Sequence, residues 1–323
     1  MDGVETRKPA DPHSTEWRPT APLGVLRQRA ELVERTRAFF RERDVLEVDT
    51  PVLQGGANLD HGVVPLHLGS GNGERFLPTS PEHPLKRLLS AGYGDVWTLA
   101  PAFRSGERGR RHAPEFRMLE WYRIDWDDRR LMDEVIALLA RLTGWGENHE
   151  ILTWREAFLR HAGVDPMADD ATLMRRLGAD AVVARGDRRI ALDLLLTRDV
   201  EPHLGRGRWT VISDYPADQC AQARLRPGAD GALVAARFEL YREGVELANG
   251  YHELLDGEGL ARRLGAELAD RSDGERLDQR FLAAMAHGLP DCAGVAVGFD
   301  RVVMLALGLD HIERTQAFGW ENA

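Results

Sequence analysis

Two β-prone runs with a dense cluster of charge between them constrain this chain more than any other feature. Val96 to Phe103 is apolar and β-prone, and Phe116 to Trp121 mixes aromatic and apolar residues with Arg117 and Glu120. The stretch from Phe103 to Arg123 carries Arg104, Arg108, Arg110, Arg111 and Arg117 among Glu107, Glu115 and Glu120, with Gly106, Gly109 and Pro114 between the runs. That arrangement predicts two antiparallel strands joined by a long arginine-bearing loop. Arg104, at the end of the first strand, is then held on a rigid element, where a guanidinium can grip a phosphate or carboxylate through two parallel hydrogen bonds. A solvated hairpin laced with surface salt bridges fits the same residues, so this stretch alone leaves both readings open.

A length of 323 residues allows one large domain or two ordinary ones. Hydrophobic content of 43% and charged content of 29% are those of a soluble globular protein. No apolar run approaches a membrane span and the N-terminus lacks a signal-peptide core, so no membrane association and a cytoplasmic location are expected. Cys220 and Cys292 have neither metal-ligand spacing nor the pattern of a disulfide framework, and are expected as small buried hydrophobes. A net charge of −10 argues against a general nucleic-acid binder, because phosphate contacts dominate such affinity.

Residues 1–22 contain Pro9, Pro12, Pro19 and Pro22 among polar residues and are expected to form a disordered arm before one folded domain over 23–323. Leu26, Ala30, Val33, Arg37 and Phe40 recur at helical spacing, predicting a helix to about Arg43. Val45 to Leu53 alternates as a strand broken by Pro51, which places it at an edge or interface. Asn58 to Glu74 reads as a weak hairpin ending in a glycine-rich turn, and Ser80 is positioned to cap a helix opened by Pro81 with Glu82 in its first turn. Leu131 to Leu142 is an amphipathic helix, Ile151 to Arg206 is mostly helical, and Trp209 to Pro216 is strand-like.

Arg237 to Leu254 repeats Glu239, Glu246 and Glu253 at intervals of seven, with Gly244 marking a turn. If Arg242 and Glu243 form a two-residue loop, Glu239 faces Glu246 across the strands. Opposed carboxylates repel unless a cation or a shared proton lies between them, so a divalent metal is one reading and a hairpin with exposed glutamates is the other. Glu258 to His287 reads as a charged helical insertion. The chain closes with a glycine-interrupted strand running into an apolar helix near Asp300 and Arg301, where the arginine needs an anionic partner.

An edge strand ending in proline, an arginine-bearing hairpin and a glycine strand leading to Asp-Arg on a helix together resemble the three-motif signature of class II aminoacyl-tRNA synthetase catalytic domains. More narrowly, TSPEHPLKRLL, FRSGERGRRHAPEFRMLEWY, GVELANGYHEL and GFDRVVMLALG resemble the lysyl-tRNA synthetase branch, and the resemblance covers most of 23–323. That branch carries an N-terminal barrel that reads the anticodon, for which the arm at 1–22 leaves no room. No binding of a tRNA anticodon is therefore expected. Compact chains of this pattern resemble the elongation factor P lysyltransferases, which attach a lysyl or β-lysyl group to a lysine of that translation factor.

The resemblance implies an α+β fold, an antiparallel sheet flanked by helices, and a homodimer joined through the first motif. It implies ATP and lysine or β-lysine as substrates, Mg2+ as cofactor and elongation factor P as partner. Arg104 would bind the α-phosphate and the amino-acid carboxylate, and Arg301 would lie near the γ-phosphate, the two forming the catalytic pair. Phe116 would stack on adenine, with Ser105, Gly106, His112, Ala113, Leu247 and Gly298 around the nucleotide. Glu239 and Glu246 match the magnesium ligands. Ser80, Pro81 and Glu82 would lie near the α-amino group, Tyr122 and Glu253 would hold the ε-ammonium, and Asn249 and Ala296 would belong to the same pocket.

Three positions depart from the pattern. Phe-Arg-Asn-Glu is replaced by Phe103-Arg104-Ser105-Gly106 followed by Glu107, and His-Asn-Pro-Glu-Phe-Thr by His112-Ala113-Pro114-Glu115-Phe116-Arg117. Weaker ATP binding is expected from both. Ala296 stands where the synthetases usually have glycine; one added methyl shifts substrate preference by roughly 1–3 kcal/mol and is expected to favour β-lysine. Two rivals share part of this pattern: a free-standing lysine-adenylating enzyme with another acceptor, and a non-catalytic regulatory domain. Retention of both metal carboxylates and both phosphate arginines argues against the second.

Overall fold

The computed structural model describes residues 17–59, 62–69, 73–269, 271 and 276–323. Along the chain run α1 (Leu23–Arg41), β1 (Leu46–Glu47), β2 (His67–Leu68), β3 (Arg75–Phe76), α2 (Glu82–Ser90), β4 (Val96–Phe103), β5 (Glu115–Ile124) and α3 (Asp128–Thr143). Next come β6 (His149–Thr153) and four short helices, α4 (Trp154–Ala157), α5 (Asp170–Leu177), α6 (Ala181–Ala184) and α7 (Arg188–Leu195). The remainder is β7 (Trp209–Pro216), β8 (Leu225–Pro227), β9 (Leu233–Arg242), β10 (Val245–His252), α8 (Gly257–Ala269), α9 (Gln279–His287), β11 (Cys292–Gly298) and α10 (Phe299–Ala306).

The two runs around the arginine loop are β4 and β5, paired antiparallel along their lengths. They sit in one large sheet of order β1-β4-β5-β11-β10-β9-β7-β6, with β8 alongside β9. The outer pairs β1–β4 and β6–β7 are parallel, and the pairs between them are antiparallel. This is the expected α+β architecture.

Strand alternation sorts the side chains. Leu119 and Trp121 of β5, Val295 and Val297 of β11 and Phe238 and Leu240 of β9 join one core with Leu131, Val135, Leu138 and Leu142 of α3. Asp127 caps α3 by accepting from Arg130 N–H, and Gly144 ends it at φ 75°. On α1 the buried stripe is Leu32, Thr36, Phe39 and Phe40, with Arg37 and Ala30 outside it, and the Phe40 ring stacks on Trp97 at 4.7 Å. The predicted stripe is thus rotated, because the aromatic pair at the C-terminal end sets which face turns inward.

Other expectations change in detail. The edge strand shrinks to Leu46–Glu47, since the chain after Pro51 pairs elsewhere: Gln54 bridges Phe76. The segment taken as mostly helical begins with β6, a strand seated against β7. Cys292 is buried and Cys220 half-buried, both as free thiols. The turn between β2 and β3 includes residues 70–72, outside the described set. Of the expected arm, residues 1–16 also lie outside that set, whereas Thr20 N–H donates to Ala317 O and Asn322 donates to Arg18 O, tying the following residues to the C-terminal segment. Among the described residues no helix is long and apolar enough to cross a membrane.

Candidate active site

Directly paired residues of antiparallel strands share a face, so the register draws the site. Glu120 on β5 lies beside Ala296 on β11, Ala296 beside Asn249 on β10, and Asn249 beside Glu239 on β9. The neighbouring row is Tyr122, Gly294, Tyr251 and Arg237. With strands about 4.8 Å apart, the first row runs roughly 14 Å from Glu120 to Glu239. The two rows floor a cavity of about 260 Å³, walled by Ser80 and Glu82 at the start of α2, by Arg104, His112 and Phe116 of the arginine hairpin, and by Arg301 of α10. Ala113, Leu247, Gly298 and Glu253 reach the same cavity, while Pro81, Ser105 and Gly106 stand outside its lining.

The hairpin carrying the carboxylates turns one residue later than expected. Arg242 pairs with Val245, and the two loop residues are Glu243 and Gly244, at φ 51° and 70°. Such a loop needs left-handed backbone at both central positions, which the glycine makes easy at the second. A register shift between Glu246 and Ala248 follows, so Glu246 pairs with Tyr241 and Glu239 with Asn249. The two carboxylates are therefore not directly opposed, yet both line the cavity. Burial first, and then the Glu239 carboxylate, raise the Glu246 pKa.

Glu239 Oε1 lies 2.5 Å from Arg237 Nη2, and its Oε2 accepts from the Tyr241 hydroxyl at 2.6 Å. Arg301 donates to the Glu246 carbonyl at 2.9 Å and lies 3.3 Å from its carboxylate, the anionic partner that its place on a buried helix demands. Among the described residues no group of three His, Cys, Asp or Glu side chains gathers as a metal cage. Two carboxylates without a third fit Mg2+, which commonly takes one or two protein carboxylates and completes its shell with substrate phosphates and water.

At the arginine hairpin, Arg104 Nη1 lies 3.6 Å from the displaced Glu107, and its guanidinium sits over the Phe116 ring at 5.2 Å. Arg301 Nη2 is 2.7 Å from His112 Nε2. Burial, then the charge of Arg301, lowers the His112 pKa, so the neutral ring accepts. Asp300, the neighbour of Arg301, is buried against Arg29 of α1 at 2.5 Å and accepts from Arg117 N–H at 3.0 Å, locking β5 to α10.

The other end of the cavity holds groups that sequence reasoning did not assign. Lys86, one turn after Glu82 on α2, is 1% exposed, and its Nζ lies 2.6 Å from Glu82 Oε1, 2.7 Å from Glu253 Oε2 and 2.9 Å from Gln222 Oε1. Burial alone would lower its pKa, but Glu253 and Glu82 outweigh that and raise it, so Lys86 is a cation. Glu120 is 2% exposed; its Oε1 accepts from the Tyr122 hydroxyl at 2.9 Å and its Oε2 is buried with no partner. Burial first, then the Glu82 carboxylate, push the Glu120 carboxyl up to about 8. Ser80 Oγ accepts from Asn58 at 3.0 Å and from Glu82 N–H at 3.1 Å, which fixes the start of α2. The signals were present in weak form: Glu120 alternates with buried Leu119 and Trp121, and Lys86 sits four residues from Glu82.

Residues 15–322 match the tRNA synthetases class II (D, K and N). Among curated relatives, the elongation factor P–(R)-β-lysine ligase of Vibrio cholerae is 42% identical over 325 residues, covering 96% of this chain and 99% of the relative. The ligase of the same name from Klebsiella pneumoniae is 42% identical, covering 95% and 98%, and that from Yersinia enterocolitica 40%, covering 94% and 98%. The chain belongs to the class II tRNA synthetase family (D, K and N), and within it to the family of the elongation factor P–(R)-β-lysine ligases.

Proposed function

We propose that this protein activates lysine or (R)-β-lysine with ATP and transfers it to the ε-amino group of a lysine of elongation factor P. The observation that carries the reading is the row across the sheet. Carboxylates suited to an ammonium, Glu120 with Glu82 and Glu253 behind it, lie at one end. Arg104, Arg301, Glu239 and Glu246, suited to phosphates and a divalent cation, lie at the other. An amino acid laid along the row has its carboxylate at the junction. The names of the relatives supply the acceptor.

In the first step the amino-acid carboxylate oxygen attacks the α-phosphorus, the bond to the β-phosphate oxygen breaks, and pyrophosphate leaves. Arg104 holds the carboxylate and the α-phosphoryl oxygens, where charge builds; one such contact is typically worth about 3 kcal/mol. Mg2+ held by Glu239 and Glu246 would supply further neutralisation of phosphate charge. Arg301, already oriented by Glu246 and neutral His112, meets the outer phosphates. In the second step a neutral lysine amine of the acceptor attacks the activated carbonyl, loses a proton and expels AMP, so this step falls off at low pH.

The Ala296 methyl stands between Glu120 and Asn249 in the row, under the path of the substrate. We attribute to it a preference for the β-isomer. The exposed apolar side chains Leu46 and Leu53, at 49% and 57% exposure beside the edge strand β1, are assigned to a homodimer contact. Pyrophosphate exchange into ATP tests the activation step: exchange should depend on lysine or β-lysine and fall by at least 100-fold in Arg104→Ala. Exchange that no diamino acid stimulates would refute the reading.

A further inference from the structure

The group expected to hold the substrate's side-chain ammonium already holds one of the protein's own. Glu253 is fully buried, and its Oε2 lies 2.7 Å from Lys86 Nζ. Lys86 also engages Glu82 at 2.6 Å, and Gln222, on the far side of the cavity wall, takes a third hydrogen-bonding direction of the ammonium at 2.9 Å. A buried lysine with three oxygen partners, 2% side-chain exposure and no route to solvent is fixed.

Around it the wall has three carboxylates, Glu82 from α2, Glu120 from β5 and Glu253 from the end of β10. Arg237, the nearest guanidinium in the second row, is committed to Glu239. Once Lys86 is counted, the three carboxylates carry a net of two negative charges. Charge left uncompensated in a buried site is costly, so the complement of this wall is a ligand bearing two positive charges. Glu120 Oε2 has the free lone pairs for one of them. Glu82 Oε2, whose one neighbour here is Asn58 at 3.4 Å, has them for the other.

We propose that Lys86 is a specificity-determining positioning residue, an internal ammonium that immobilises Glu253 and Glu82 and sets the charge of the pocket so that it accepts amino acids carrying two ammonium groups. Glu253 is then a clamp for Lys86 rather than the first ligand of the substrate. The α- and β-isomers of lysine both meet the charge requirement. Amino acids of similar length with one ammonium, such as norleucine, do not, and they leave Glu120 or Glu82 unpaired. This inference rests on the proposed activation of a diamino acid.

The test is a charge-balance cycle read by the KM for lysine or β-lysine in pyrophosphate exchange, with the KM for ATP and thermal unfolding measured on each protein. Lys86→Met leaves one negative charge too many and Glu253→Gln one too few, so each should raise the KM for the amino acid at least tenfold with a much smaller change in the KM for ATP. The double variant Lys86→Met/Glu253→Gln restores the count and should have a KM lower than that of either single variant. Glu120→Gln should raise KM at least tenfold and gain nothing from Lys86→Met. If Glu253 is instead the direct ligand of the substrate, the double variant binds no better than Glu253→Gln, and the proposal is overturned. If Lys86 only supports the fold, the KM values for ATP and amino acid rise together with a loss of thermal stability, which also overturns it. Absence of exchange in the unmodified protein refutes the activation reading itself, an outcome separate from either.

Discussion

Glu120 decides how the pocket responds to pH. Its carboxyl sits among apolar strand neighbours and next to Glu82, which raises its pKa to about 8. An ammonium ligand binds the ionised form, and the protonated form dominates below that pKa. The KM for lysine should therefore fall as pH rises from about 6 to 8, by several-fold per unit, and level off above it. Glu120→Gln removes the titrating group and should give a flat profile at a higher KM, the loss of a buried partner being worth about 3–5 kcal/mol. Initial rates at several lysine concentrations across that range check this; a flat profile in the unmodified protein would contradict it. The residue stands between Leu119 and Trp121, both turned to the opposite core, so alternation alone places its side chain with Met118 and Tyr122 on the site face. What the sequence does not reveal is that Ala296 and Asn249 lie beside it, because those neighbours come from strands far along the chain.

Among the elements, β11 does most to bring the ends of the site together, and it does so by being thin. Gly294 lies where a Cβ would collide with the Tyr122 ring and reach within 2.7 Å of Glu253 Oε1. Gly294→Ala should displace Tyr122 from Glu120, raising the KM for lysine at least tenfold while the KM for ATP changes little. The overpacking should cost about 1–3 kcal/mol in an unfolding titration. An unchanged KM would mean that Tyr122 is not part of the lysine end. Helices and strands of this kind were legible from the chain: β4, β5, β7, α3 and β11 have unbroken periodicity bounded by turn residues. The hairpin of β9 and β10 was legible only to within one residue. A turn at Arg242-Glu243 and one at Glu243-Gly244 read alike in sequence, and a bulge then reshuffles which residues pair. Such an offset changes which carboxylates meet, so chemistry inferred from spacing alone was less secure than the strands that carry it.

At the scale of the molecule, the sheet acts as a ruler on which binding of an amino acid and binding of ATP are set apart by strand spacing. The apolar edge at β1 should carry the dimer contact. Sedimentation equilibrium should give twice the chain mass for the unmodified protein and the single mass for Leu46→Glu/Leu53→Glu; a monomer in both would remove the assignment. Charge distribution agrees with a protein acceptor in place of tRNA: the arginines of the hairpin loop are turned inward or paired, with Arg111 bound to Gly244 O and Arg108 to Glu321, within a chain of net charge −10. The most direct measurement is the intact mass of purified elongation factor P after incubation with this protein, ATP, Mg2+ and either L-lysine or (R)-β-lysine. The account predicts a gain of one lysyl unit on a single lysine, larger with the β-isomer, and lost when Arg104→Ala replaces the unmodified protein. An unchanged mass with both isomers, under conditions where pyrophosphate exchange proceeds, would contradict elongation factor P as the acceptor.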